Sequence, residues 1–207
     1  LYLCNKNLET ISNYDSNAKH DLLLDVCMAA KYEGDLIKTH YTEHEQTNLD
    51  TKSQLCTVLA RSFADIGDIV RGKDLYLGYD DEEKNRRKQL ENNLKEIFTQ
   101  IYNDVTSTRG KTNGAEARYK KDKDPDKNYY QLREDWWTAN RETVWKAITC
   151  AAKVGDTYFR ATCDSGDGQS GAQARNQCRC ENKTGASGDG DVNIVPTYFD
   201  YVPQFLR

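Results

Sequence analysis

Histidine is nearly missing from this chain, with three in 207 residues, which leaves little material for imidazole catalysis or zinc ligation. Long apolar runs are missing too. The longest spans a handful of residues, far below the ~20 needed to cross a bilayer, and mean hydropathy is −0.88. No signal-peptide pattern precedes the first turn, and the chain opens on Leu1, so it reads as a piece of something larger. Basic residues are not in excess: 29 Lys and Arg face 33 Asp and Glu, for a net charge of −4. A general nucleic-acid binder would need the opposite balance to displace counterions, so nucleic acid is not an expected partner. Period-two alternation is almost absent, which argues against a sheet protein. There is no internal repeat.

Cysteine, by contrast, is plentiful. Seven residues, Cys4, Cys27, Cys56, Cys150, Cys163, Cys178 and Cys180, suit an oxidising, extracellular, disulfide-held protein. All seven are assigned to disulfides, and the odd number sends one to a partner outside the chain. Spacing does not dictate connectivity. A working assignment pairs Cys4 with Cys27, Cys56 with Cys150 and Cys163 with Cys178, leaving Cys180. At this length a single folded unit can bury roughly 70% of its unfolded surface without outside help.

Helical periodicity dominates the rest. Leu55, Val58, Leu59, Ser62, Phe63, Ile66, Ile69 and Val70 recur at three- and four-residue steps, as do Leu90, Leu94, Ile97, Phe98, Ile101, Tyr102 and Val105; each set marks one helix face. A third stripe, Leu132, Trp136, Ala139, Trp145 and Ile148, follows Asp124-Pro125-Asp126, a suitable helix start. On this reading Trp136 and Trp145 are core, and Trp137, about 100° round the helix, is partly exposed. Gly67 permits a close helix approach. A shorter helix covers His20 to Ala30 and resumes after Gly34. The polar segment Thr106 to Asn128 joins two long helices. Asp164 to Asp191 holds six of the chain's 13 glycines and reads as a surface loop. Tyr201-Val202-Pro203 reads as a helix start. The fold class is mostly α.

Several short patterns imitate catalytic or metal motifs. His40-Tyr-Thr-Glu43-His44 matches the inverted zinc-protease signature but lacks a third ligand. Gly166 to Gly171 spells G-x-G-x-x-G without the strand and helix that signature needs, and Asp164 and Asp167 would repel phosphate. Asp189, Asp191 and Asn193 begin like a calcium loop, but Ile194 stands where glycine is required. Cys178-Arg-Cys180 has one intervening residue where zinc knuckles have two. Glu134 and Asp135 read as a surface acid pair. No enzyme, metal or cofactor is expected.

Positive charge is concentrated locally. Lys84, Arg86, Arg87 and Lys88 fall within five residues, and Arg109, Lys111, Arg118, Lys120, Lys121, Lys123 and Lys127 give seven cations against four acids in the interhelical segment. Such clusters can hold a sulfated or sialylated glycan through charge-assisted bonds; the plainer reading is a solvated loop.

Three strings carry more than composition can. Ala60 to Gly78 reads ARSFADIGDIVRGKDLYLG, Leu132 to Cys150 reads LREDWWTANRETVWKAITC, and Val195 to Arg207 reads VPTYFDYVPQFLR. In order and spacing they resemble the Duffy-binding-like domain, class alpha, of the variant erythrocyte membrane protein 1 family of Plasmodium falciparum, and LLLDVCMAAKYEGDLIKTHY extends the likeness. The resemblance implies a disulfide-linked helical Duffy-binding-like fold, with subdomain 1 over about 1–50, subdomain 2 over about 51–195, and a third, largely missing subdomain starting in 196–207. It further implies an adhesin on the outer face of the infected red cell, beside a cysteine-rich interdomain region. Implied partners are an erythrocyte or endothelial receptor, a sulfated or blood-group glycan, and antibodies. The four cysteines Cys150 to Cys180 resemble a subset in which that neighbour does the receptor binding and this domain acts as a structural head module.

Overall fold

The computed structural model describes residues 18–47, 54–76, 78–107, 114–119, 126, 128–164, 171–181 and 192–207. The helices are α1 (Ala18–Thr47), α2 (Leu55–Arg71), α3 (Asp81–Thr106), the single turn α4 (Ala115–Arg118) and α5 (Tyr130–Ile148). Four short strands follow: β1 (Cys163–Asp164), β2 (Gly171–Ala172), β3 (Cys180–Glu181) and β4 (Val192–Ile194). They form two antiparallel ribbons, β1 with β2 and β3 with β4. The segment expected to be wholly loop therefore contributes three strands, because its cysteines tie it down. Two 3-10 turns, Phe199–Tyr201 and Gln204–Leu206, stand where a terminal α-helix was expected.

The apolar stripes explain the bundle. Leu55, Leu59, Phe63, Ile66 and Val70 of α2 are buried, as are Leu90, Leu94, Ile97, Phe98 and Ile101 of α3. α2 runs antiparallel to α5: Phe63 meets Trp145 edge-on at 5.1 Å, and Arg133 Nε donates to the Val70 carbonyl at 2.6 Å. It is antiparallel to α1 as well, since Ser62 Oγ donates to Glu33 at 3.0 Å and the Gln54 amide donates to the Tyr41 hydroxyl at 2.5 Å.

Local chemistry sets the helix ends. Gly72, at φ 70°, closes α2: its amide bonds Ile69 O and the Lys73 amide bonds Asp68 O, a left-handed exit that suits glycine. Asp80 caps α3 by accepting the Glu83 amide at 2.8 Å, with Asp81, Glu82 and Glu83 in the first turn facing the positive end of the dipole. α5 starts at Tyr130, several residues after the Asp-Pro-Asp signal. Its preceding residue Tyr129 takes φ 52°, a conformation that costs a non-glycine residue energy. Burial of its ring beside Tyr102, centroids 5.5 Å apart, holds it there.

Three expectations need correcting. Trp137 is 0% exposed, because α5 is covered on more than one side and its burial is wider than a single stripe. Ala139, placed on that stripe, is exposed. α1 runs unbroken for 30 residues: Gly34 does not interrupt it but brings it against α5, where a Cβ would collide with the Ile148 carbonyl. Gly67 serves the same end under Trp137, where a Cβ would come within 2.7 Å of the indole ring. Gly67→Ala is expected to cost about 1–3 kcal/mol through overpacking, read from urea unfolding.

The disulfides also differ from the assignment. Cys56 pairs with Cys178 and Cys163 with Cys180, while Cys27 and Cys150 carry free thiols. The Cys178 carbonyl accepts the Trp145 indole N–H at 3.1 Å. That bond seats the Cys178 turn against α5 next to buried Cys56, and Cys150 lies exposed past the helix end. Cys4, the expected partner of Cys27, lies outside the described residues. Burial pushes the Cys27 thiol pKa up.

Candidate ligand-binding surface

Five of the eleven singled-out basic residues fall on described parts: Lys84, Arg86, Arg87 and Lys88 on the first turns of α3, and Arg118 on α4. Arg109, Lys111, Lys120, Lys121 and Lys123 lie outside the described residues, as does Lys127. Lys84, Arg87 and Lys88 share one cleft of about 610 Å³ with Lys95. Arg86 does not line it and pairs with Glu82 at 3.3 Å. Arg118 is engaged elsewhere: its guanidinium grips Asp135 at 2.5 and 2.7 Å. Those bonds raise the Arg118 pKa and, with Tyr119, hold the Asp135 carboxyl below its usual range.

The floor of the cleft is apolar, from Ile69, Leu90 and Leu94, and its aromatic rims are Tyr76 and Tyr130. The two acids lining it are already engaged by arginines. Asp74 pairs with Arg87, and Glu91 receives both arms of buried Arg133, at 2.7 and 3.0 Å. Arg87 also stacks 4.3 Å over the Tyr76 ring. Asp74 and Glu91 are thus held by arginines, Lys84 pairs with the exposed Asp81 at 3.4 Å, and Lys88 and Lys95 add further positive charge to the lining. Of the residues that line this cleft, the basic clusters read from the sequence include Lys84, Arg87 and Lys88 but not Lys95, Tyr76, Asn128 or Tyr130. Lys95 was legible, since Lys84, Lys88, Glu91 and Lys95 step by four, three and four along one helix face.

A second feature is an ion-pair network between α2, α5 and the terminal segment. Asp200, 1% exposed, accepts the Trp137 indole N–H at 2.9 Å and both arms of Arg141 at 2.7 and 2.8 Å. Its backbone carbonyl accepts from Arg71. Arg207 bonds Asp65 at 3.0 Å and pairs with Asp68. Burial, against the pull of Arg207, lifts the Asp65 carboxyl to about 6. Burial lowers and the Asp200 bonds raise the Arg141 pKa, with a net rise. Every charge here has a partner, so this network binds the chain to itself. Glu134 likewise pairs with Lys73 and, at 3.6 Å, with Arg71. Among the described residues no three His, Cys, Asp or Glu side chains gather as a metal site.

The described residues form a helical bundle linked by two disulfides, with a cleft lined by lysines and tyrosines. The family model described as the Duffy binding domain matches residues 1–207, and the chain belongs to that family. It is similar to the N-terminal NTS-DBL1-alpha and CIDR-gamma double domain of PfEMP1 from the Plasmodium falciparum varO strain, at 39% identity and TM-score 0.67. That match covers 99% of this chain and 25% of the other, so the chain spans about a quarter of that structure. It also resembles the ICAM-1-binding PfEMP1 IT4var13 DBLbeta domain, at 35% identity and TM-score 0.56, over 72% of this chain and 32% of that one. The same domain bound to ICAM-1 matches at 36% identity and TM-score 0.54, covering 72% of this chain and 33% of that one. No curated protein matches the chain.

Proposed function

We propose that this chain is a class alpha Duffy-binding-like adhesion module of a parasite variant surface antigen, displayed on the outer face of the infected erythrocyte. Its described helices include none long and apolar enough to cross a membrane. The likeness to the NTS-DBL1-alpha double domain supports the class, and the likeness to an ICAM-1-binding domain supports adhesion to host surfaces. On this reading residues of about 1–50 and 51–195 are the first two subdomains and 196–207 begin the third. The observation that carries the ligand class is the cleft itself. Its acids are held by Arg87 and Arg133, and the exposed Lys84 and Lys88 and the half-buried Lys95 lie beside two tyrosines, which suits an anionic host glycan or receptor segment.

The test is retention on immobilised heparin. The wild-type chain is expected to bind and to elute with salt, because exposed charge pairs are screened. Lys84→Glu, Lys88→Glu and Lys95→Glu combined should move it to the flow-through without changing its helical spectrum. Undiminished retention of that variant would remove the cleft from the adhesion surface. A second reading, a structural head module whose neighbour binds the receptor, is favoured by the CIDR-gamma domain in the matched double-domain structure. It predicts no retention of the wild-type chain and no binding to red cells.

A further inference from the structure

The cleft wall and the terminal segment share one side chain. Asp74 Oδ2 accepts from Arg87, while its Oδ1 accepts the Gln204 side-chain amide at 3.1 Å and the Tyr76 backbone amide at 3.1 Å. Gln204 also receives, on Oε1, the Leu75 backbone amide at 2.8 Å. Residues 74–76 thus hang between α3, through Arg87, and the second 3-10 turn, through Gln204. The turn itself has fixed footing, since Arg207 is tied to Asp65 and Asp68 of α2 and Asp200 to Arg141 of α5. Leu75 and Tyr76 are both exposed, so apolar packing does little to hold them. The bonds that their backbone amides donate to Gln204 and Asp74 hold them instead.

We propose that Gln204 is a positioning residue for the cleft: through Asp74 it sets the orientation of Arg87 and the Tyr76 wall that a ligand meets. This rests on the adhesion reading for its functional meaning but not for its test. Gln204→Ala removes both bonds, to Leu75 N–H and to Asp74. Gln204→Glu keeps an acceptor for Leu75 but cannot donate to Asp74 and places a second carboxylate beside it. The two variants therefore separate a purely structural tether from control of Arg87.

The experiment uses the whole 207-residue chain. Amide exchange at Leu75 should speed up about tenfold in Gln204→Ala, the loss of about one hydrogen bond, and stay near wild type in Gln204→Glu. Amides in the buried face of α2 should not change in either. The Arg87 side-chain N–H signal should move in both variants, and both should leave heparin at lower salt than wild type. An Arg87 signal unmoved in both variants, or Leu75 exchange unchanged in Gln204→Ala, overturns the proposal. A wild-type chain that ignores heparin would count against the adhesion reading alone, because the exchange and Arg87 measurements need no ligand.

Discussion

Asp200→Ala is expected to lower the unfolding free energy by about 3–5 kcal/mol, the range for removing one partner of a buried ion pair. The carboxylate is fully enclosed and accepts three bonds, one from Trp137 and two from Arg141. Alanine leaves the indole N–H without an acceptor and the Arg141 side chain, only 15% exposed, without its counter-charge. Arg71 keeps its bond, since that one goes to the backbone carbonyl. The loss should therefore be specific to the Trp137 and Arg141 side of the network. Asp200→Asn, which retains an acceptor for the indole, should cost less than alanine. Urea unfolding followed by tryptophan fluorescence measures both variants. A loss below about 1 kcal/mol for alanine would place Asp200 among ordinary surface pairs.

The Cys56–Cys178 bridge should matter as much. It joins residues 122 apart, and in the chain-entropy account closing a loop of that size restrains the unfolded state by about 5 kcal/mol. Cys163–Cys180 spans 17 residues and should contribute about 3 kcal/mol on the same account. Replacing Cys56 and Cys178 together by alanine is expected to shift the urea midpoint more than replacing Cys163 and Cys180 together. Peptide mapping without reductant checks the pairing directly: fragments carrying Cys56 should travel with Cys178. Equal shifts for the two double variants would show that strain or residual structure outweighs loop length.

The two pairings illustrate what the linear chain does and does not reveal. Cys56 was legible as a disulfide partner but not its mate, because the turn at Cys178 reaches it only after α5 and the strands have been placed. The stripes of α2 and α3 were plain, since each helix buries one face, and one face is what a 3.6 period reports. Trp137 was misread for the same reason: α5 is enclosed by α2 and the terminal segment together, so a residue off the main stripe meets Gly67 and Asp200 instead of water. The start of α5 was misplaced because Asp124-Pro125-Asp126 is a local signal, whereas Tyr129 is held by packing on Tyr102 from another helix. The cleft divides similarly. Lys84, Arg87 and Lys88 are neighbours in sequence and stand out as a cluster; Tyr76, Asn128 and Tyr130 join them in the lining from separate segments and do not.

Arg133 occupies the one acid of the cleft lining that α3 supplies. Its guanidinium lies in the interior, bonded to the carbonyls of Ile69 and Val70 where α2 ends, yet it reaches out to hold Glu91 on the cleft lining. A metal ion or amine seeking that carboxylate would have to displace a cation anchored in the protein's own interior, and so would disturb the end of α2. An anion meets no such opposition. On the proposed adhesion reading, the cavity would therefore select by sign through a residue no ligand touches, and a charge-reversing change at Arg133 would be felt as unfolding before it was felt as altered selectivity.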